Sequence, residues 1–346
     1  MSRVCTIGLD IAKNKFQVHG EDRQGKMVFN KQLRRHDVLA FFAALPTCLV
    51  GLEACGGAHY WAREISKYGH DVRLIPPRQV KPFVINNKTD AADARAICEV
   101  VQRPATTFVQ IKTVEQQHLA ALHRVRERFV GNRTALANQI RGLLHEEGVV
   151  LAQGIKILRQ ELPGILANND SPLCEASRHL LAELLAELRI WDEKINDIEK
   201  HLTQMAKADA NCSRLLKIPG VGLLTATAIV AHMGNATQFK NGRQFAACLG
   251  LTPREYSSGG KQKLLGISKR GNGYIRKLLI QGARIVCMWW NRTPAAPEQW
   301  RKLWLQQLTA RRGKFVASVA QANKTACIIW NILARGAEYN GAFGSV

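Results

Sequence analysis

Two aspartates, Asp90 and Asp93, stand three positions apart in NKTDAADARAI, residues 87–97. Ala, Arg and Ile around them favour a helix, whereas Asp is a poor helix-interior residue. On a helix both carboxylates share one face and repel each other. Two more acids stand at the ends of apolar runs: Asp10 in GLDIAKNKF and Glu53 in VGLEACGG. If those runs are neighbouring strands, their ends converge on one sheet edge, and the Asp90/Asp93 helix can pack across it. Four carboxylates gathered there repel strongly unless a divalent cation lies between them. Mg2+ suits such a set, because it takes hard oxygen ligands and keeps waters that a phosphate can replace. The chemistry this predicts is metal-assisted phosphoryl transfer. Each piece alone is weak, since an isolated D-x-x-D is usually a solvated helix face and a lone strand-end Asp is more often a turn former. Their joint occurrence carries the reading.

A second candidate lies in REYSSGGKQK, residues 254–263. Ser257 and Ser258 precede two glycines, with Arg254, Lys261 and Lys263 nearby and Lys269 and Arg270 just downstream in SKRGN. A hydroxyl in a flexible cationic loop can attack a phosphodiester, the cations stabilising developing charge. SSGG is also a common solvent loop, and no histidine in it offers a base. IPGVG, residues 218–222, reads as a helix-hairpin-helix turn. Its glycines, Gly220 and Gly222, would let a nucleic-acid backbone approach the next helix N-terminus; an ordinary tight connection is the competing reading.

The elements that must hold these groups follow from apolar periodicity. VCTIGLDIA, KFQVHGED and KMVFNKQL read as strands, HDVLAFFAAL as a helix, and CLVGLEA, AHYWAREISKYG and DVRLIPP as strand, helix, strand. With the Asp90/Asp93 helix the order is β-β-β-α-β-α-β-α, an α/β mixed sheet in the element order of the ribonuclease-H-like fold. A helix over about 114–147 follows, then 148–175 as an irregular connector interrupted by Gly154, Pro163, Gly164 and Pro172. Leu181, Leu184, Leu188, Trp191, Ile195, Ile198, Leu202 and Met205 then form a heptad seam. The seam predicts either an antiparallel hairpin or a dimerising coiled coil. The last part is mostly helical and includes a basic helix, GYIRKLLIQGARIVCMWW, carrying Arg276 and Lys277, and a final helix over about 314–336. The expected division is 1–112, an α/β catalytic domain; 113–205, a helical hairpin or coiled coil; and 206–346, a helical domain with the glycine turn and the serine loop.

The net charge of +22 over 346 residues points to a polyanionic partner. Residues 1–112 carry +7, 113–205 carry −2 and 206–346 carry +17, so the bias is concentrated in the last part. Nine cysteines are scattered with no C-x-x-C pair, which argues against a disulfide framework or a thiolate zinc site. There is neither a secretory signal pattern nor an apolar run long enough to span a bilayer, so a cytoplasmic protein without a membrane partner is expected.

GLDIAKNKF, GLEACGG, NKTDAADAR, IPGVGLLTA, QFAACLGLTPREYSSGG and ISKRGNGYIRKLL, in this order, resemble the DEDD-type insertion-sequence transposases related to Piv DNA invertases. The resemblance spans nearly the whole chain. It implies a RuvC-like, ribonuclease-H-like N-terminal domain and a C-terminal transposase domain, connected through a coiled coil. It implies Asp10, Glu53, Asp90 and Asp93 as the catalytic, Mg2+-binding tetrad and Ser258 as a nucleophile forming a serine–DNA phosphodiester. The family's Glu-Ser-Gly context departs here, because Ser257 stands at the glutamate position, which leaves the choice between Ser257 and Ser258 open. Donor and target DNA, a non-coding guide RNA and further copies of the chain (a dimer, or a tetramer on DNA) are the implied partners, in a prokaryotic, nucleoid-associated setting. The alternative is a RuvC-like junction nuclease that uses water. An actin-like sugar kinase lacks the second nucleotide-binding half, and a non-catalytic nucleic-acid binder leaves the carboxylates unexplained.

Overall fold

The chain was analysed as a computed structural model that describes residues 4–85, 87, 89–296 and 299–340; Lys88 of the NKTDAADAR stretch lies outside the described residues. Two compact units are present, Met1–Val114 and Glu115–Val346.

The first unit runs β1 (Thr6–Ile11), β2 (Lys15–Glu21), β3 (Met27–Arg34), α1 (Val38–Ala43), β4 (Leu49–Glu53), α2 (Ala58–Ser66), β5 (Asp71–Ile75), α3 (Pro77–Val80) and α4 (Asp90–Val101). The order expected above lacks the short α3, started by the proline pair 76–77, and two 3-10 turns, Arg35–Asp37 and Lys81–Phe83. The sheet order is β3-β2-β1-β4-β5. The first three strands are an antiparallel meander, and β4 and β5 run parallel to β1.

Alternation along the strands sorts the two faces. Ile7, Leu9, Phe16, Val18, Val50, Leu52 and Leu74 point to one face and bury Phe42 of α1 and Trp61 and Ile65 of α2. The opposite face presents Gly8 and Gly51 where α4 crosses it. A Cβ on Gly8 would lie 2.0 Å from the Ala94 carbonyl oxygen, and one on Gly51 would lie 2.8 Å from Val101 Cβ. The missing side chains therefore set how closely α4 approaches β1 and β4. Ala96, Ile97, Val100 and Val101 then complete a second small core with Ile75 and Val80.

The second unit contains both the helical middle and the basic last part. Helices α5 (Val114–Glu146) and α7 (Glu175–Ala208) are antiparallel. Arg126 pairs with Glu199 at 2.6 Å, Arg133 pairs with Asp192 at 3.0 Å, and the Phe129 and Trp191 rings meet at 5.3 Å. The segment read as an irregular connector instead contains α6 (Ile155–Ala167), with Pro163 inside it. Its apolar residues Ile155, Leu158 and Leu162 recur at helical spacing, and Leu158 and Leu162 are buried against α5 and α7. The proline and glycines obscured that period. The seam residues Leu181, Leu188, Ile195, Ile198 and Leu202 are all buried by this chain's own helices. The seam is thus covered within this chain.

The remainder comprises α8 (Ala210–Leu215), α9 (Leu223–Met233), α10 (Gly242–Cys248), a hairpin of β6 (Pro253–Glu255) and β7 (Leu264–Ile267), α11 (Gly273–Trp290) and α12 (Trp300–Arg335). The hairpin replaces the loop expected at 251–272. Gly313, at φ 81° and ψ 163°, is non-helical and divides α12 into two helices; the second, from 314 on, is the final helix expected above, and the one before it was not expected. Leu119 of α5, Leu202 of α7, Leu215, Ile229, Phe245, Leu279 and Ile329 belong to one continuous core, so the middle and last parts are packed as one body.

Candidate active site

Asp10 stands near the end of β1 and Glu53 at the end of β4, both half-buried. The parallel register Leu9↔Leu52 sets the two acids side by side on the face that carries Gly8 and Gly51. Thr89 starts α4 by accepting the Ala92 N–H on its hydroxyl, at 3.2 Å. Asp90 and Asp93 therefore occupy the first turn, not the helix interior. Exposed N–H groups and the positive end of the helix dipole favour carboxylates there, so the local cost of two acids is smaller than the sequence alone suggests.

The four acids act on one another. Burial, followed by the charges of Asp93, Asp90 and Glu53, pushes the Asp10 carboxyl from its ordinary 3.8 up to about 6. A cleft of about 440 Å³ opens beside them, lined by Glu53, Asp93, Pro77, Val80, Lys81 and Val84. Lys81 was missed in the sequence; its only signal is that it directly follows the helix that Pro77 opens. Among the described residues no three His, Cys, Asp or Glu side chains already converge into a coordination sphere. The donor set nonetheless fits a hard divalent cation. All four groups are oxygen acids, and the one nearby thiol, Cys55, is held protonated by burial and by the charges of Glu53 and Asp10.

The raised Asp10 pKa predicts a stability effect with a definite sign. A carboxyl whose folded pKa lies above its unfolded value is a liability once it ionises, so the penalty grows as pH rises from 3.8 through about 6. Asp10→Asn should raise the Tm of metal-free protein at pH 7.5 by about 2–4 °C. Millimolar Mg2+ should stabilise only the wild type and so narrow the gap. A Tm for metal-free Asp10→Asn at or below that of the wild type would contradict the electrostatic crowding.

Ser258 sits at the tip of the β6–β7 hairpin. Lys261 N–H donates to the Ser258 carbonyl at 3.0 Å, with Gly259 at φ 56° and Gly260 at φ 75° between them. Two consecutive positive φ values define the primed turn that matches strand twist, and glycine adopts them without strain. The neighbouring hydroxyls differ. Ser257 Oγ donates to Glu255 Oε1 at 2.7 Å and accepts the Lys263 N–H at 3.2 Å. Ser258 Oγ has no partner among the described residues and is exposed. Arg254, Lys261, Lys263, Lys269 and Arg270 are exposed as well.

Other residues expected to face nucleic acid have structural duties. A Cβ on Gly220 would lie 2.8 Å from the Gly282 carbonyl, so this glycine seats the α8–α9 turn on α11. Gly222 is exposed at the start of α9. Arg276 donates to the carbonyls of Leu249 and Arg270, both at 2.9 Å, and clamps the loop before α11. Lys277 pairs with Glu127 of α5. Buried His123 bridges Thr227 Oγ1 and Tyr274 Oη, each at 3.0 Å, tying α5 to α9 and α11. The Thr227 hydroxyl donates to the Leu223 carbonyl, so it accepts from His123 Nε2–H and Tyr274 donates to Nδ1. Burial, with smaller contributions from His232 and Arg126, lowers the His123 pKa to about 4, in keeping with that neutral tautomer.

Comparison with known proteins places both regions. A DEDD transposase model of the IS110 type matches residues 7–148, which includes all four acids. The transposase model of the IS116/IS110/IS902 family matches residues 212–301, which includes the serine hairpin. A probable family 20 transposase of Pseudomonas aeruginosa is 48% identical over 96% of this chain and 98% of its own length. The transposase of insertion element IS1111A from Coxiella burnetii is 45% identical over 98% of this chain and 92% of its own. The pilin gene-inverting protein of Moraxella bovis is a more distant relative, 24% identical over 81% of this chain and 82% of its own. Set beside the strand-end acids and the serine hairpin, these matches show that the chain belongs to the IS110-type family of DEDD transposases, enzymes that cut and rejoin DNA.

Proposed function

We propose that this transposase moves an insertion sequence by Mg2+-dependent strand cleavage and exchange through a serine–DNA phosphodiester. The observation that carries the reading is the register Leu9↔Leu52, which sets Asp10 beside Glu53 at one end of the sheet, with Asp93 of α4 lining the same cleft as Glu53. Asp10, Glu53, Asp90 and Asp93 would hold the metal, which when bound supplies charge neutralisation to a phosphodiester. Ser258 provides the nucleophile: its Oγ bonds to phosphorus, the bond from phosphorus to one DNA oxygen breaks, and the serine proton ends on the DNA hydroxyl so released. Arg254, Lys261 and Lys263 beside it, and Lys269 and Arg270 beyond, stabilise the added negative charge.

The strand order and the mixed directions in the sheet support a ribonuclease-H-like, RuvC-like fold for the first unit. The exposed Gly222 at the start of α9 keeps a helix-hairpin-helix contact to a DNA backbone within the proposal. A guide RNA that pairs with donor and target DNA rests on the family resemblance, with the basic last part as the surface available to it. The same resemblance supports a dimer, or a tetramer on DNA, in the bacterial nucleoid. No helix among the described residues is long and apolar enough to cross a membrane.

The test is incubation with end-labelled donor DNA, the RNA co-purified from cells, and Mg2+, followed by denaturing electrophoresis. A labelled protein–DNA adduct is expected. Free 5′-phosphate ends without an adduct would favour the water-using nuclease.

A further inference from the structure

The register of the first sheet extends the acid pair into a longer row. Asp10 pairs with Gln17, and Gln17 pairs with Gln32, so Glu53, Asp10, Gln17 and Gln32 line up across β4, β1, β2 and β3 on one face. Adjacent strands lie about 4.8 Å apart, so the row spans about 14 Å. The next residues towards the open end of this face, Lys15 and Arg34, are cross-strand partners. Both are exposed and neither makes an ion pair among the described residues. The row behind, Gly51, Gly8 and His19, faces α4: Gly51 and Gly8 lie against the helix and His19 is buried. Asn30 closes that row at the edge, and its side-chain amide is bonded to that of Gln17. Glu21 on β2 also lies on this face, and it is engaged by His19 at 3.1 Å and Gln102 at 3.1 Å. Past Glu53 the line meets buried Ile75 of β5, and the adjoining cleft wall carries Lys81, likewise without an ion pair among the described residues. Lys81 thus lies beyond the acids on one side, and on the other the amides of Gln17 and Gln32 are flanked by Lys15 and Arg34.

We propose that this row is a track for one DNA strand, which Lys15 and Arg34 hold on one side of the reacting phosphate and Lys81 on the other. The proposal rests on the reading of the acids as the metal site and adds the direction in which the substrate crosses them. A phosphate backbone running along it would meet Lys81 beyond the acids on one side, and amides flanked by Lys15 and Arg34 on the other. Amides such as Gln17 and Gln32 supply donors to sugar and phosphate oxygens without carrying a charge that the metal site would repel. Contacts of this kind position a strand and do not read sequence.

Lys15→Glu/Arg34→Glu tests the track in the full-length protein, with affinity for a labelled donor duplex measured by fluorescence anisotropy from 50 to 300 mM salt. At least a tenfold loss is expected, together with a fall of about 2 in the slope of log K against log salt, since each phosphate contact contributes about 0.9. The control is Lys67→Glu/Arg23→Glu, which changes net charge equally but lies just after α2 and in the β2–β3 turn. An equal loss in the control, no loss in the test protein, or a loss confined to RNA binding would each overturn the proposal. Gln32→Lys guards against a folding artefact, because it should tighten DNA binding three- to tenfold. No tightening by that variant would count against the track. Asp93→Asn separates the two ideas: it should bind DNA like the wild type without cutting it. Cleavage by Asp93→Asn, with binding still lost in the double variant, would remove the metal assignment and leave the track standing.

Discussion

Asp93→Asn should abolish strand cleavage while leaving the fold and DNA affinity in place. Asp93 is half-buried in the first turn of α4, lines the cleft with Glu53, and is the largest electrostatic neighbour of Asp10. The amide keeps the shape and the hydrogen-bonding reach of the carboxylate, but it removes the negative charge a divalent cation needs. A drop of roughly 10³-fold in the cleavage rate is expected, equivalent to about 4 kcal/mol of barrier. The Asp10 carboxyl should also titrate closer to its ordinary value, because one of its three repelling neighbours is gone. Single-turnover cleavage at saturating DNA, with circular dichroism as the control, provides the check. Cleavage within tenfold of wild type would take Asp93 out of the metal site.

Ser258→Ala should eliminate the covalent protein–DNA adduct. The turn geometry does not depend on the hydroxyl, since it rests on the Ser258 carbonyl and on two glycines. The hairpin should therefore survive. Ser257→Ala should behave differently, because that hydroxyl ties Glu255 to the Lys263 N–H. Losing such a clamp costs about 1 kcal/mol at an exposed site, enough to slow the reaction up to about tenfold without abolishing the adduct. If the adduct vanished in Ser257→Ala and persisted in Ser258→Ala, Glu255 would become the base and Ser257 the nucleophile. The acids and the serine belong to different units, so mixing Ser258→Ala with Asp90→Asn asks whether one chain's serine can serve another chain's acids. Recovery of adduct in the mixture is the signature of a shared site.

Much of the first unit was legible because its signals are local. Short apolar runs ending in Asp10 and Glu53 fix strands and acids together; that Thr89 caps the next helix and puts Asp90 and Asp93 in its first turn was not read from the sequence. The serine hairpin was not legible, since PRE and LLGI are short, exposed strands whose pairing depends on where Gly259 and Gly260 turn the chain. Helix α6 was hidden by Pro163, which the helix tolerates because Leu158 and Leu162 bury on its inner side. The heptad seam was visible, but periodicity cannot say which surface answers it. Arg133 and Asp192, fifty-nine positions apart, show that the partner is α5 of the same chain. Gly220 looked like an approach point for a backbone, and it is one, though the backbone is that of Gly282 in α11.

The seat made by Gly8 and Gly51 also governs how far the carboxylates can adapt. Asp10, Asp90 and Asp93 have short side chains carried on β1 and α4, and those two elements are stopped against each other, backbone on backbone. Loops cannot slide to resize the site, and breathing of α4 towards the sheet is blocked by the Ala94 carbonyl. Compliance is left to a single lever, the extra methylene of Glu53. Tolerance for ions of different radius would thus reside in one rotamer at the end of β4, and shortening that side chain by one carbon would turn an adjustable grip into a fixed gauge.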